Sequence, residues 1–204
     1  QLETSSIPEE MSGYVVQHRF RTAHNDWPLV QLGPGILTVN DTHKYKWEDF
    51  RARVVEAKGK LYDAYPKPAS LQVENLTLRY IDAVDFDYQS SSVLEFLRQS
   101  LKVSVGLPSN LFENNDVDPL PQQFLSQQMY RSKKPLGIIQ VRFATGARLN
   151  KPALVWETTV QTTGDDMPSM PQGFEDWLDQ AHVLANDWFF KMIEGDLHRR
   201  FSSE

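Results

Sequence analysis

Along residues 27–50, WPLVQLGPGILTVNDTHKYKWEDF, two short apolar runs flank Gly33-Pro34-Gly35, and a polar step at Asn40, Asp41 and Thr42 leads into an aromatic segment. The pattern predicts strands at about 29–32 and 36–40, joined by a tight turn and followed by a helix. Just upstream, residues 14–22 alternate. Tyr14, Val16, His18 and Phe20 share one face, and Val15, Gln17, Arg19 and Arg21 the other. Period two with one polar face predicts an antiparallel strand covering a core on one side. His24-Asn25-Asp26 is turn chemistry, because Asn and Asp tolerate left-handed and Asx-turn geometry. Three strands in sequence make a meander. Residues 1–12 are polar and predict an arm.

The period then changes. Trp47, Phe50, Val54, Ala57, Leu61 and Tyr65 recur at spacings of three and four, which puts them on one stripe of a helix over 45–65, capped by Asn40, Asp41 or Thr42 and ended by Pro66 and Pro68. Residues 71–86 predict an extended segment with Leu76, Leu78, Tyr80 and Ala83 as apolar contacts, leaving to solvent through Asp82, Asp85 and Asp87. A short helix follows at 93–101. Residues 106–135 carry four prolines and a run of glutamines, and read as a long excursion with one helical turn near 121–126. Two further strands are expected at 136–145 and 153–163. Phe174, Trp177, Leu178, Ala181, Ala185, Trp188, Phe189, Met192 and Ile193 keep one apolar face over several turns, so a single helix is expected from 172 to 201. Such a helix measures roughly 45 Å, and its end would overhang the sheet.

These elements give an α+β fold: one antiparallel sheet of about six strands in the order βββα-β-ββα, with two main helices on one face. The expectation is one domain over 1–204, with two halves of similar outline at 14–66 and 71–202 and no repeat at the level of residues.

Composition narrows the partners. The formal charge of −6 argues against nucleic acid, since phosphate neutralisation needs clustered Lys and Arg and here they are scattered. No apolar run approaches the roughly 20 residues that span a bilayer, so no membrane is expected. The absence of cysteine excludes a disulfide, a thiol nucleophile and a Cys-ligated metal, and suits a cytoplasmic location.

Candidate chemistry is sparse. His24 with Asp26 and Asp41 with His43 are close His/carboxylate pairs, but turn and cap roles account for them. His182, one turn from Asp179 and Asn186, has the spacing of a helical acid/base pair, with no nucleophile placed beside it. Asp82, Asp85 and Asp87 have the alternation of a calcium loop without its glycine or bidentate Glu. Gly33-Pro34-Gly35 lacks the donors of a phosphate cradle. Arg19, Arg21 and Arg79 would make an anion or partner site if aligned across the exposed sheet face, but solvated strand charges account for them. No catalytic, cofactor-binding or metal-ligating residue is therefore assigned.

Three stretches carry a resemblance. The run from Asn25-Asp26 through VQLGPGILTVN to Tyr45-Lys46-Trp47-Glu48-Asp49-Phe50, the strand LTLRYIDAVDF at 76–86, and AHVLANDWFFKMIEGDLHRRF at 181–201 together resemble a sporadically distributed, uncharacterised bacterial protein family. The resemblance implies an intracellular α+β protein, with a further strand and helix ahead of Gln1. It brings no activity, cofactor or catalytic residue, and it points toward an adaptor or antitoxin-like accessory role.

The functional expectation is a non-enzymatic interaction protein, an adaptor or scaffold binding another polypeptide or a second copy of itself. Trp188, Phe190, Ile193, Leu197 and Phe201 on the overhanging helix are the expected contacts. The alternatives are a small-molecule binder, with a cavity between sheet and terminal helix lined by Trp177, Trp188, Phe189 and Phe190, and an enzyme assembled from distant loops around His182 or His198.

Overall fold

The computed structural model describes residues 16–24, 26–42 and 44–201. The chain forms two compact units, Gln1–Gln72 and Val73–Glu204. The class is α+β with antiparallel sheets, as the alternation predicts. The single six-stranded sheet is corrected to one sheet of three strands and one of four.

In the N-terminal unit, β1 (His18–Phe20), β2 (Leu29–Gly33) and β3 (Ile36–Asn40) form the meander β1-β2-β3. Gly33 pairs with Ile36, so Pro34 and Gly35 alone make the turn. Proline fixes φ at the first turn position and Gly35 supplies φ +67 at the second, the pattern of a type II turn. Tyr14 and Val15, assigned above to the first strand, lie outside the described residues. Helix α1 (Trp47–Ala64) starts at Lys46 without a side-chain cap, so Asn40, Asp41 and Thr42 do not cap it. Glu48 and Asp49 face the positive end of the helix dipole. The helix ends where Tyr65, held extended by the following Pro66, donates its N–H to the Leu61 carbonyl at 3.0 Å.

The C-terminal unit is built on β4 (Asn75–Asp85), β5 (Leu125–Lys133), β6 (Leu136–Arg148) and β7 (Lys151–Thr163), all antiparallel in the order β4-β7-β6-β5. One face carries Leu76 and Leu78 of β4, Ile139, Val141 and Phe143 of β6, and Leu154, Trp156 and Val160 of β7, all buried. Helices α2 (Val93–Ser100), α3 (Phe174–Ile193) and α4 (Asp196–Phe201) supply the opposing layer. Phe86, Val93, Leu97, Leu101, Phe124, Ile193 and Leu197 join the strand residues in one cluster. Ser92 caps α2 by accepting the Glu95 N–H.

Two sequence expectations change here. Residues 106–135 are not one excursion: their last third is the edge strand β5, turning into β6 at Lys134-Pro135. The terminal helix is not continuous. It stops at Ile193, Glu194 leaves the helical region at φ −52 and ψ 122, and Gly195 at φ +114 takes a backbone no α-helix contains before α4 resumes.

Candidate functional site

The N-terminal unit has an uncommon surface. In its sheet the register places Arg19, Leu29, Gln31, Ile36, Thr38 and Asn40 on one face, where the Gln31 side-chain oxygen accepts from the Thr38 hydroxyl at 3.3 Å and the Asn40 amide at 3.1 Å. The opposite face carries Phe20, Val30, Leu32, Leu37 and Val39. None of these five is buried, and Phe20 is 55% exposed. Helix α1 repeats the pattern. Its stripe of Trp47, Phe50, Val54, Ala57 and Leu61 is half-buried throughout, and α1 contains no buried residue. Phe50 stacks obliquely with Tyr45 and Trp47, ring centroids 5.6 and 6.2 Å apart. The helix is tied to the end of β3 by Arg53, whose guanidinium donates to Asp41 at 2.7 Å. Among the described residues of this unit, Leu29 alone is a buried hydrophobic.

A second feature is polar and lies within the C-terminal unit, where α3 crosses β4 and β7. Alternation carries Tyr80 and Asp82 onto the helix-facing side with Leu76 and Leu78. This corrects the sequence phase, which took Ala83 as the apolar contact and sent Asp82 to solvent. Tyr80 Oη lies 2.7 Å from His182 Nδ1. Across the sheet Tyr80 pairs with Thr158 and Asp82 with Trp156. Asp82 Oδ2 is buried with no hydrogen-bond partner, and burial pushes its carboxyl up to about 7. The Thr158 hydroxyl, on a residue 1% exposed, is likewise unpartnered. Nearby, Trp177 donates its indole N–H to Thr162 at 2.7 Å, and the Thr162 hydroxyl donates to the Leu136 carbonyl at 2.5 Å. Between α3 and the sheet the space is filled by Trp177, Leu178, Ala181 and Ala185, all 4% exposed or less. The cluster can share a proton between Tyr80 and His182.

The sequence-predicted residues separate. Asp26 accepts the Trp27 N–H at 2.9 Å, a turn role, and His24 makes no described bond to it. Asp41 bonds Arg53, and His43 lies outside the described residues. The three aspartates do not converge. Asp82 points into the unit, and Asp85 pairs with Arg148 at 3.0 Å. Asp87 accepts from the Ser90 hydroxyl and the Gln89 N–H, which hold its carboxyl below the usual range. Among the described residues no group of three or more His, Cys, Asp or Glu is placed to hold a metal. Arg79 lies 3.7 Å from Glu157 on the far face of its sheet, while Arg19 and Arg21 belong to the other unit.

The expected contacts on the terminal helix are corrected in part. Ile193, the last residue of α3, and Leu197 on α4 are 0% and 2% exposed and belong to the core. Trp188 packs half-buried and edge-on to Tyr130, centroids 5.5 Å apart. Phe190 remains 46% exposed, edge-on to Phe189 and His198. The Phe201 side chain lies outside the described residues.

A shallow groove of about 420 Å3 runs between α2 and the chain after it, lined by Ser92, Leu94, Glu95, Arg98, Ser104, Val105 and Gly106. Arg98 and Glu95 pair with each other there at 2.6 Å. No described helix is long and apolar enough to cross a membrane. No protein-family model matches the chain, and neither a curated protein nor a solved structure matches it.

Proposed function

We propose that this chain is a non-enzymatic interaction protein whose N-terminal unit binds another polypeptide while the C-terminal unit serves as its stable support. Of the twenty-two buried apolar residues described, the N-terminal unit holds one, Leu29. That shortage is what a second polypeptide would make good. A sheet and a helix become stable by covering their apolar faces, and here both faces stay half-open. An exposed apolar surface of this kind on a folded chain marks a docking site more often than a reaction site. A ligand cavity beneath α3 has less support, since Ala181 and Ala185 bring that helix close to the sheet.

The test is site-specific photo-crosslinking in cells, with a benzophenone side chain at Leu37, Val54 or Leu61. A discrete adduct of higher mass from at least one position, lost from the Leu37 and Leu61 variants when Val54→Lys is added and from the Val54 variant when Leu61→Lys is added, is the expected result. No adduct from any of the three positions would remove the proposal.

A further inference from the structure

We infer that the polypeptide taken by the N-terminal unit is a second copy of this chain, paired antiparallel through β3 so that two three-stranded sheets become one of six. This rests on the reading of that unit as a polypeptide-binding module, and three observations choose the copy over another partner.

The first is the chemistry of the sheet edges. A free strand edge invites further pairing, and proteins guard against it with charge, proline or short length. Three of the four edges are guarded. β1 is three residues long and carries Arg19. β4 carries Arg79, Asp82 and Asp85, and β5 carries Arg131 and Lys133. The fourth, β3, reads Ile-Leu-Thr-Val-Asn, with no charge and no proline over five residues.

The second is register. Pairing β3 with its own copy about Thr38 sets Thr38 opposite Thr38, Leu37 opposite Val39 and Ile36 opposite Asn40. Opposed residues in an antiparallel pair share a face, so Leu37 and Val39 of both copies join the row of Phe20, Val30 and Leu32 into one apolar surface. Every cross-strand pair in this arrangement is uncharged and recurs on the other side of Thr38, as a two-fold interface requires.

The third is charge. The formal charge of −6 is not spread over the chain. Residues 1–72 hold nine Lys and Arg against nine Asp and Glu, and residues 73–204 hold twelve against eighteen. Two copies approaching through their C-terminal units meet like net charge, whereas the N-terminal units carry no net charge.

Sedimentation equilibrium and light scattering of the full chain test this. The expected mass at high concentration is twice 23.5 kDa, falling to 23.5 kDa on dilution. Thr38→Lys places two ammonium groups opposite each other and should abolish the dimer. Gln127→Lys, the same change on β5, should leave it intact. Hydrogen exchange on the unaltered chain supplies a readout that does not depend on a variant folding. Amides of residues 36–40 should gain protection with concentration, and those of β5 should not. A native chain that stays monomeric, or a dimer that survives Thr38→Lys while Gln127→Lys dissociates it, overturns the inference. Monomers that still give a crosslinked adduct with a different protein would defeat self-pairing alone and leave the binding reading standing. Monomers without any adduct would defeat both.

Discussion

Two threonines, four positions apart on β7 and on the same face, make opposite predictions. Thr162 is buried and bonded on both sides, to the Trp177 indole and the Leu136 carbonyl. Replacing it by Val strands both partners, and each buried unpaired group costs about 1–3 kcal/mol. Thr162→Val should therefore destabilise by about 2–4 kcal/mol in urea titration. Thr158 is equally buried, with a hydroxyl that bonds to nothing. Thr158→Val should be neutral, or stabilise by about 1 kcal/mol. Asp82 adds a pH dependence. Its carboxyl titrates near pH 7 in the folded chain against an ordinary value of 3.8, because burial penalises the charge. The folded state then holds the proton more tightly than the unfolded state, so stability is greatest below about pH 4 and falls as pH rises toward 7. Asp82→Asn should remove that slope and stabilise by up to about 4 kcal/mol at pH 8, with no effect at pH 3.5, as read from denaturant curves across the range. None of this was legible in the sequence. Asp82 beside Ala83, with Asp85 and Asp87 close behind, looks like a strand leaving for solvent, and only the register of β4 on β7 shows which face it takes.

At the scale of elements the sequence was clearest where apolar spacing was strong. The stripe on α1, the strands about Gly33-Pro34-Gly35 and the short helix at 93–101 appear within a few residues of their expected positions. It was weakest where a strand buries little. β5 escaped because Ser126 and Gln128 sit on its inner face beside Gln127 on the outer, so polarity does not alternate. The break before α4 escaped for the opposite reason: Ile193 and Leu197 stay in phase across it, and periodicity reports facing, not continuity. Gly195 was the available signal. The turn between β6 and β7 offers a test of local backbone chemistry. Arg148 pairs with Lys151, leaving Leu149 and Asn150 at φ +50 and +64. Leucine is poorly suited to that conformation, and it is 90% exposed there. Changing Leu149→Asn together with Asn150→Gly supplies the favoured residues for this turn and should raise stability by about 1 kcal/mol, seen as a higher Tm.

For the molecule as a whole, the α+β class was readable, and the two halves expected at 14–66 and 71–202 meet close to the boundary between the two compact units, Gln1–Gln72 and Val73–Glu204, while how deeply each half is buried was not readable. Periodicity treats every apolar stripe as equally buried, so Phe50, Val54 and Leu61 on α1 looked no different from Trp177, Leu178 and Ala181 on α3. The sequence placed its candidate contacts on the terminal helix for the same reason. Aromatic density at the carboxyl terminus suggested surplus, yet Ile193 and Leu197 are consumed by the core. The half-open stripe of α1 also shapes how the protein denatures. Heat capacity and denaturant sensitivity scale with the surface that melting uncovers, and the described residues of the N-terminal unit bury little apolar surface, with Leu29 alone among their hydrophobics buried. Their melting should be broad and calorimetrically faint, so a single sharp endotherm would report the acidic unit alone.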